Sequence, residues 1–397
     1  MSLASALDLG LALAALPLLA ACLYLGLLTL CSGRRAPAAA APPPTSRFEV
    51  LVPAHDEEDG IGRTVASILT GDYPAPLRRV TVVADNCSDA TAARARAAGA
   101  RVLVRTDPAH GKGRALAFGL GQVLEERFAD AVVVVDADTV ASPGLLRAYA
   151  ARLERGAAAV QADNGVLNPG DSWRTRLMAI ALGSFHRLRF GARERLGLSC
   201  GLRGNGMCLS RRLLLAVPHT ASSRAEDLEY GLLVAEAGHR VHYAAEGHVL
   251  SAMVSGEAPA RSQRRRWEEG RGELARLHGR RLLALALARR DLRLLDVALD
   301  LLVPPLATLA AWAAGGLGVS ALVSIAWHPV PVALLLWAGC VALLAAYVLR
   351  GWVLSETGWR GLQDLLVHAP AYAVWKVALR WRAPAPGAGG WVRTPRE

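Results

Sequence analysis

Lysine is nearly missing from this chain. Lys112 and Lys376 stand beside 43 arginines in 397 residues, so Lys112 is either a chemical choice or chance. The six cysteines show no paired spacing, and three of them lie in or beside apolar runs. That excludes a disulfide framework and a zinc site and points to reduced thiols. No basic residue precedes the first apolar run, where Asp8 stands instead, which argues against a cleavable signal peptide. His110-Gly-Lys-Gly113 lacks the Ser/Thr and the upstream glycine of a phosphate-binding loop. Gly201-Leu-Arg-Gly-Asn-Gly206 lacks the strand before and the helix after that a dinucleotide fingerprint requires. Neither supports a nucleotide triphosphatase. Internal repeats are absent as well.

What is present is unevenly distributed. Leu9 to Leu30 is an uncharged apolar run long enough to span a bilayer, followed by Arg34 and Arg35, and reads as an uncleaved anchor with its N-terminus outside. Two more candidate spans cover about Val297 to Ile325 and Val332 to Leu349. Their connection AWHPVP has no Lys or Arg while basic residues crowd both outer flanks, which places the connection outside and the rest in the cytosol. The stretch Leu362 to Trp381, interrupted by Asp364, His368, Pro370 and Lys376, is expected to lie in the interface as a helix.

A net charge of +11 would suit nucleic acid if it covered a soluble domain. Residues 261–293 instead gather eleven arginines against Glu268, Glu269, Glu273 and Asp291, a surplus of seven positive charges beside an apolar span. Membrane lipids with anionic headgroups are the expected partner, and nucleic acid is not, because the basic run has few aromatics. The expected division is an anchor over 1–31, a Pro/Ala linker over 32–45, a catalytic domain over 46–270, a basic juxtamembrane segment over 271–296, two spans over 297–349, and an interfacial helix with a cytosolic tail over 350–397.

Between linker and spans the pattern alternates. Strands are expected at Phe48 to Val52, Val80 to Ala84, Arg101 to Arg105 and Ala157 to Gln161, with helices near Gly62 to Leu69, Ser88 or Asp89 to Ala98, Ala115 to Phe128 and Gly144 to Glu154. Such alternation implies a doubly wound α/β sheet. Its centre is Ala131 to Val140, AVVVVDADTV, where a buried valine strand delivers Asp136 and Asp138 to one side of a loop. Two carboxylates at a strand's carboxyl end suit Mg2+ or Mn2+ completed by water and phosphate oxygens. The alternative is that Asp136 caps the following turn and Asp138 is solvated. A long amphipathic helix is expected over Trp173 to Leu196, its six arginines facing water or lipid headgroups, with water favoured.

Further on, Glu226-Asp227 opens a helix, where carboxylates also suit the dipole. Gln263-Arg-Arg-Arg-Trp267 precedes the membrane, where a basic run also suits headgroups. In order, VPAHDEE (52–58), Asp85, Lys112 in Gly-Lys-Gly, Asp136-Ala-Asp138, Glu226-Asp227 and Gln263-x-x-Arg266-Trp267 resemble the membrane-bound inverting glycosyltransferases of family 2, over roughly residues 46–270. The resemblance implies a Rossmann-like GT-A domain. It implies donor contacts from Pro53, Glu57, Asp85, Lys112 and Asp136, with Asp85 and Glu57 near the uridine, and a divalent Mg2+ or Mn2+ at Asp136 and Asp138. It implies Asp227 as general base, Arg266 beside the departing diphosphate, and Glu226, Gln263 and Trp267 on the acceptor side. The family's usual Tyr-Asn before the first Glu is His55-Asp56 here, which leaves base stacking by that residue open, and the Thr before Glu-Asp is Ala225. The expected activity is transfer of one sugar from a UDP-sugar to a lipid or lipid-linked acceptor with inversion, at the inner (plasma) membrane. A processive β-glycan synthase is the alternative, and a non-catalytic membrane scaffold a third reading.

Overall fold

The computed structural model describes residues 3–33, 43–109, 111–221, 223–253 and 257–370, and for 257–266 the backbone alone. The first half forms α1 (Leu3–Cys31), β1 (Phe48–Ala54), α2 (Ile61–Leu69), β2 (Arg78–Asp85), α3 (Thr91–Ala97), β3 (Arg101–Arg105), α4 (Lys112–Glu125), β4 (Ala131–Val134), β5 (Thr139–Ala141), α5 (Leu145–Leu153) and β6 (Ala159–Val166). Then come α6 (Trp173–Leu182), α7 (Gly191–Arg195), β7 (Met207–Ser210), α8 (Arg211–Ala216), α9 (Glu226–Glu236), β8 (Val241–Ser251), α10 (Glu257–Arg289), α11 (Leu292–Leu302), α12 (Leu306–Ala326), α13 (Pro331–Ser355) and α14 (Gly358–Val367). The described residues divide into two compact units, one of 43–171 with 193–302, the other of 3–33, 172–192 and 303–370.

The first unit is a GT-A-like, Rossmann-like α/β domain. Eight strands lie in the order β3-β2-β1-β4-β7-β6-β8-β5. The first four run parallel. β7 then runs antiparallel to both β4 and β6, β8 parallel to β6, and β5 antiparallel on β8. The sheet is therefore mixed, and the two strands that make the antiparallel pairs, β5 and β7, are too short to carry a periodic signal in the sequence. Every residue of β1 and β4 is buried. Helices cover both faces: α2, α3 and α5 through Ile61, Val65, Ala95, Leu145 and Tyr149 on one, and α4, α8 and α9 through Leu116, Leu213, Tyr230 and Val234 on the other. That two-sided cover explains an uninterrupted valine run instead of an alternating one.

The second unit holds three helices long and apolar enough to cross a membrane: Ser5–Cys31, Leu306–Ala326 and Pro331–Ser355. Leu18, Cys22 and Leu25 of α1 share a core with Cys340, Leu344 and Tyr347 of α13. Asp8 accepts from the backbone N–H of Ala333 at 2.8 Å and of Val332 at 3.3 Å, so it caps the start of α13, where helical donors have no internal partner. The span expected from Val297 is divided: 297–302 belongs to α11, and Pro304-Pro305 separates it from α12, since Pro cannot continue a helix and pushes its predecessor into extended backbone.

The arginines expected to face water along 173–196 do not all do so. Between α6 and α7 the backbone winds as a π-helix over Gly183–Phe190. Arg176 pairs with Asp364, and Arg187 donates to the Leu354 carbonyl at 2.7 Å. Arg189 is buried, donates to the Tyr347 hydroxyl at 2.8 Å and lies over the Phe185 and Tyr347 rings. Buried guanidiniums need partners, and these are supplied by residues distant in sequence. Of the helix expected over Leu362 to Trp381, α14 covers the start, and everything from 371 onward lies outside the described residues.

Candidate active site

The parallel register of β2, β1 and β4 brings three strand ends to one edge of the sheet, the position where open α/β sheets take ligands. Pro53 sits in β1 opposite Val83, beyond the last β1–β4 pair, Leu51 with Val134. Glu57 follows the strand, and its backbone N–H donates to Thr91 Oγ1 at 2.8 Å. Asp85 ends β2 fully buried. Its Oδ1 accepts from Arg105 Nη1 at 2.5 Å and from Asn86 Nδ2 at 3.1 Å, and its carbonyl lies 2.7 Å from His55 Nδ1. Arg105 is braced in turn by the Ala109 carbonyl at 3.0 Å and by Asp107 at 3.0 Å. Asp85 Oδ2 is buried and has no hydrogen-bond partner among the described residues. An orphaned buried carboxylate oxygen is costly, which makes it a place for a ligand N–H.

Asp136 and Asp138 occupy the loop after β4. A turn and then β5 follow, and the Thr139 N–H closes that turn on the Asp136 backbone carbonyl at 3.2 Å. The Asp136 carboxylate accepts from Lys112 Nζ at 2.5 Å. Asp138 Oδ1 accepts from Thr139 Oγ1 at 3.3 Å. The loop is pinned from beneath: Thr64 Oγ1 of α2 donates to the Ala137 carbonyl at 2.7 Å, and buried Asn205 accepts from Asp136 N–H at 3.1 Å. The Asn205 amide also donates to Thr139 Oγ1 at 2.9 Å and Ser251 Oγ at 3.1 Å. Gln161, buried in β6, holds the same segment by donating to the Asn205 carbonyl at 2.8 Å and accepting from Arg203 N–H at 2.9 Å.

The glycine-rich segment 201–206 therefore belongs to the site. Its bracing by Asn205 and Gln161 is a long-range fact with no local signal. Gly204 adopts φ +61°, and a Cβ there would stand 3.2 Å from Asp227 Oδ2 and 3.3 Å from Lys112 Nζ. Asp227 and Lys112 thus converge on the space that Gly204 leaves free of a side chain, and Lys112 pairs in turn with Asp136. At Gly206, φ +70°, a Cβ would meet Val249 Cγ2 at 2.7 Å and Ala162 Cβ at 2.9 Å. Gly206→Ala is expected to cost about 2 kcal/mol from left-handed strain and overpacking. The measurement is the thermal midpoint in detergent; an unchanged midpoint would show that the loop yields freely.

Glu226 and Asp227 open α9. Burial pushes the Glu226 carboxyl up to about 7, with Lys112 opposing the rise and Asp227 and Asp136 adding to it. Burial alone would lower the Lys112 ammonium, but Asp136, Glu226 and Asp227 together hold it well above the ordinary lysine range. The site is a compact charge cluster in which one lysine faces three acids. α10 crosses the start of α9: a Cβ at Gly270 would come 2.9 Å from Ala225 Cβ, and Arg224 lies 3.3 Å from Glu269. Trp267, three residues before Gly270, is half-exposed at 47 %. Gln263 and Arg266 lie on the backbone of α10, and their side chains fall outside the described residues.

Three metal-capable side chains meet elsewhere, at Asp56, Cys87 and Asp89, with ligand atoms within 4.8 Å of one another. Both carboxylates are already engaged as loop braces. Asp56 Oδ1 accepts from Ser88 N–H at 2.7 Å, and Asp89 accepts from Thr91 N–H at 2.9 Å and Glu58 N–H at 3.1 Å.

Residues 43–270, more than half of the chain, match the family model described as glycosyltransferase like family 2. The chain belongs to this family. It is a glycosyltransferase, and its mixed sheet and covering helices are those of the GT-A fold. No curated protein matches it. Among solved structures, the glycosyltransferase is similar to a mannosyltransferase, PcManGT, from Pyrobaculum calidifontis in complex with GDP-Man and Mn2+. The identity is 18 %, covering 88 % of this chain and 98 % of that one, with a TM-score of 0.53. It is also similar to glucosyl-3-phosphoglycerate synthase from Mycobacterium tuberculosis in complex with Mn2+, UDP and phosphoglyceric acid, at 22 % identity over 58 % of this chain and 78 % of that one, TM-score 0.40. S. aureus TarS matches at 18 % identity over 60 % and 40 %, TM-score 0.40.

Proposed function

We propose that this glycosyltransferase moves one sugar from a UDP-sugar to the hydroxyl of a lipid or lipid-linked acceptor, inverting the anomeric carbon to a β-linkage. The observation that carries the reading is the convergence of Asp227, Lys112 and Asp136 around Gly204 in a chain that also has three helices able to cross a membrane. Asp227 takes the proton of the acceptor hydroxyl as it attacks from the face opposite the diphosphate. Asp85 accepts an imide N–H of the donor base through its orphaned Oδ2, with Pro53 and Glu57 at the same sheet edge. Lys112 orients Asp136 and offers positive charge near the diphosphate. Glu226, Gln263 and Trp267 face the acceptor, and Arg266 pairs with the leaving phosphate.

The hard oxygen pair Asp136 and Asp138 fits Mg2+ or Mn2+, with phosphate and water oxygens completing the shell. Such an ion supplies charge neutralisation to the departing diphosphate. The catalytic residues 46–270 lie on the cytosolic side of the inner (plasma) membrane, a placement supported by the arginines that flank the spans and by the uncharged AWHPVP connection.

Nucleoside-diphosphate release from a panel of UDP-sugars and GDP-mannose, with Mn2+ or Mg2+ and then with EDTA, tests this. Guanine is included because it too carries a ring N–H beside a carbonyl that a carboxylate such as Asp85 can accept. The expected result is release from a UDP-sugar that EDTA abolishes and a labelled product of lipid size. Turnover unaffected by EDTA would remove the metal; a high-molecular-weight glycan would replace single addition by processive synthesis.

A further inference from the structure

Two carboxylates of α11, Asp296 and Asp300, are buried one helical turn apart. Both meet Arg193 of α7, whose Nε lies 2.9 Å from Asp296 and whose Nη2 lies 2.8 Å from Asp300 Oδ1. One acid would suffice to balance that guanidinium, which is only 1 % exposed. Asp300 does more. Its Oδ2 faces Arg203 at 3.6 Å and Arg271 at 3.9 Å, and its backbone carbonyl accepts from Arg271 Nη2. These two arginines come from the two segments that border the reacting groups. Arg203 precedes Gly204, the residue wedged against Asp227 and Lys112, and Arg271 follows Trp267 by one turn of α10.

The segment carrying Arg203 also lies directly on the helix that carries the base. A Cβ at Gly231 of α9 would come 3.2 Å from the Leu202 backbone N, so loop and helix touch without a side chain between them. Burial lowers the Arg203 guanidinium to about 10, with Asp300 and Asp227 opposing and Arg271 and Arg193 adding to the fall. An arginine so placed needs its carboxylate to stay where it is.

We propose that Asp300 is a positioning residue for sugar transfer: through Arg203 it holds the 201–206 loop against Asp227, and through Arg271 it ties the Trp267 helix to the same point. The proposal rests on the reading of Asp227 as the base. Asp300 acts through these arginines, so its loss disturbs geometry more than donor affinity.

The test uses the full chain in nanodiscs and the panel donor that the unaltered protein turns over fastest. Asp300→Asn is expected to lower kcat about 10- to 100-fold with the donor KM within about threefold, the pattern of a misplaced reacting group. Asp296→Asn, which removes the charge beside Arg193 Nε and leaves Asp300 on Nη2, is expected to keep kcat within about threefold. Equal kcat losses in the two variants, or an unchanged kcat in Asp300→Asn, would overturn the proposal in favour of simple helix anchoring. If Asp300→Asn yields no folded protein, Arg203→Gln decides, because it leaves Arg193 with both acids: a similar kcat loss supports the positioning role, and unaltered kcat refutes it. Asp227→Asn is run beside them, and full turnover in that variant would remove the base assignment whatever Asp300 does.

Discussion

Asp227→Asn is expected to lower sugar transfer by about 10²- to 10⁴-fold, the range that positioned general bases contribute. The amide keeps the size of the side chain and its place beside Gly204 but cannot take the acceptor proton. Nucleotide binding, followed by titration with UDP and Mn2+, should change little, since the donor groups Asp85, Asp136 and Asp138 are intact. Loss in kcat with an unchanged UDP affinity separates a chemical role from a collapsed site. A variant that transfers at the unaltered rate would leave Asp227 as a helix-start carboxylate only, the role its position at the first turn of α9 also suits.

Glu226→Gln should remove a loss of stability that grows as pH rises toward neutrality. The Glu226 carboxyl lies at about 7 in the folded protein against 4.5 for an ordinary glutamate, with burial as the largest cause. Between these values the folded chain binds the proton that the unfolded chain has lost, so stability falls as pH rises through that interval. The full penalty, present above about pH 7, is about 3 kcal/mol. Glutamine carries no such charge. At pH 8 the variant should therefore melt several degrees above the unaltered protein in detergent, and at pH 4.5 the two should coincide. A difference in midpoint that does not vary with pH would show that the carboxylate is hydrated in the folded state. Transfer is expected to weaken as stability rises, because the acceptor-side role proposed for Glu226 uses the charge that is costly to bury.

Both predictions concern adjacent residues whose identities are plain in the sequence and whose properties are not. Glu226 and Asp227 stand together in a helix-start pattern, and nothing local distinguishes them. Tertiary structure does so by placing Asp227 against Gly204 and burying Glu226 beside Lys112, Asp227 and Asp136. Lys112 illustrates the same division. Its rarity among 43 arginines singles it out, but its partner Asp136 lies 24 positions away and is found only when α4 and β4 pack on one sheet.

The strands with long apolar runs were legible because burial on two faces leaves a continuous hydrophobic record, as in β1 and β4. β5 and β7, of three and four residues, are too short to leave one, and every antiparallel pairing of the sheet involves one of them. The three long apolar helices among the described residues were legible because length and apolarity are local. Their edges were less so: Asp300 reads as an acid inside an apolar stretch until α11 turns it toward Arg193, Arg203 and Arg271.

Sequence by itself determined the α/β class, the apolar helices and the family, since each depends on periodicity or on motifs confined to a few neighbouring residues. Only the tertiary structure decided which charges face one another. Asp85 acquires an orphaned oxygen because Arg105, twenty positions on, takes the other one. Electrostatic energies depend on distance and burial, and neither is a property of adjacency along the chain.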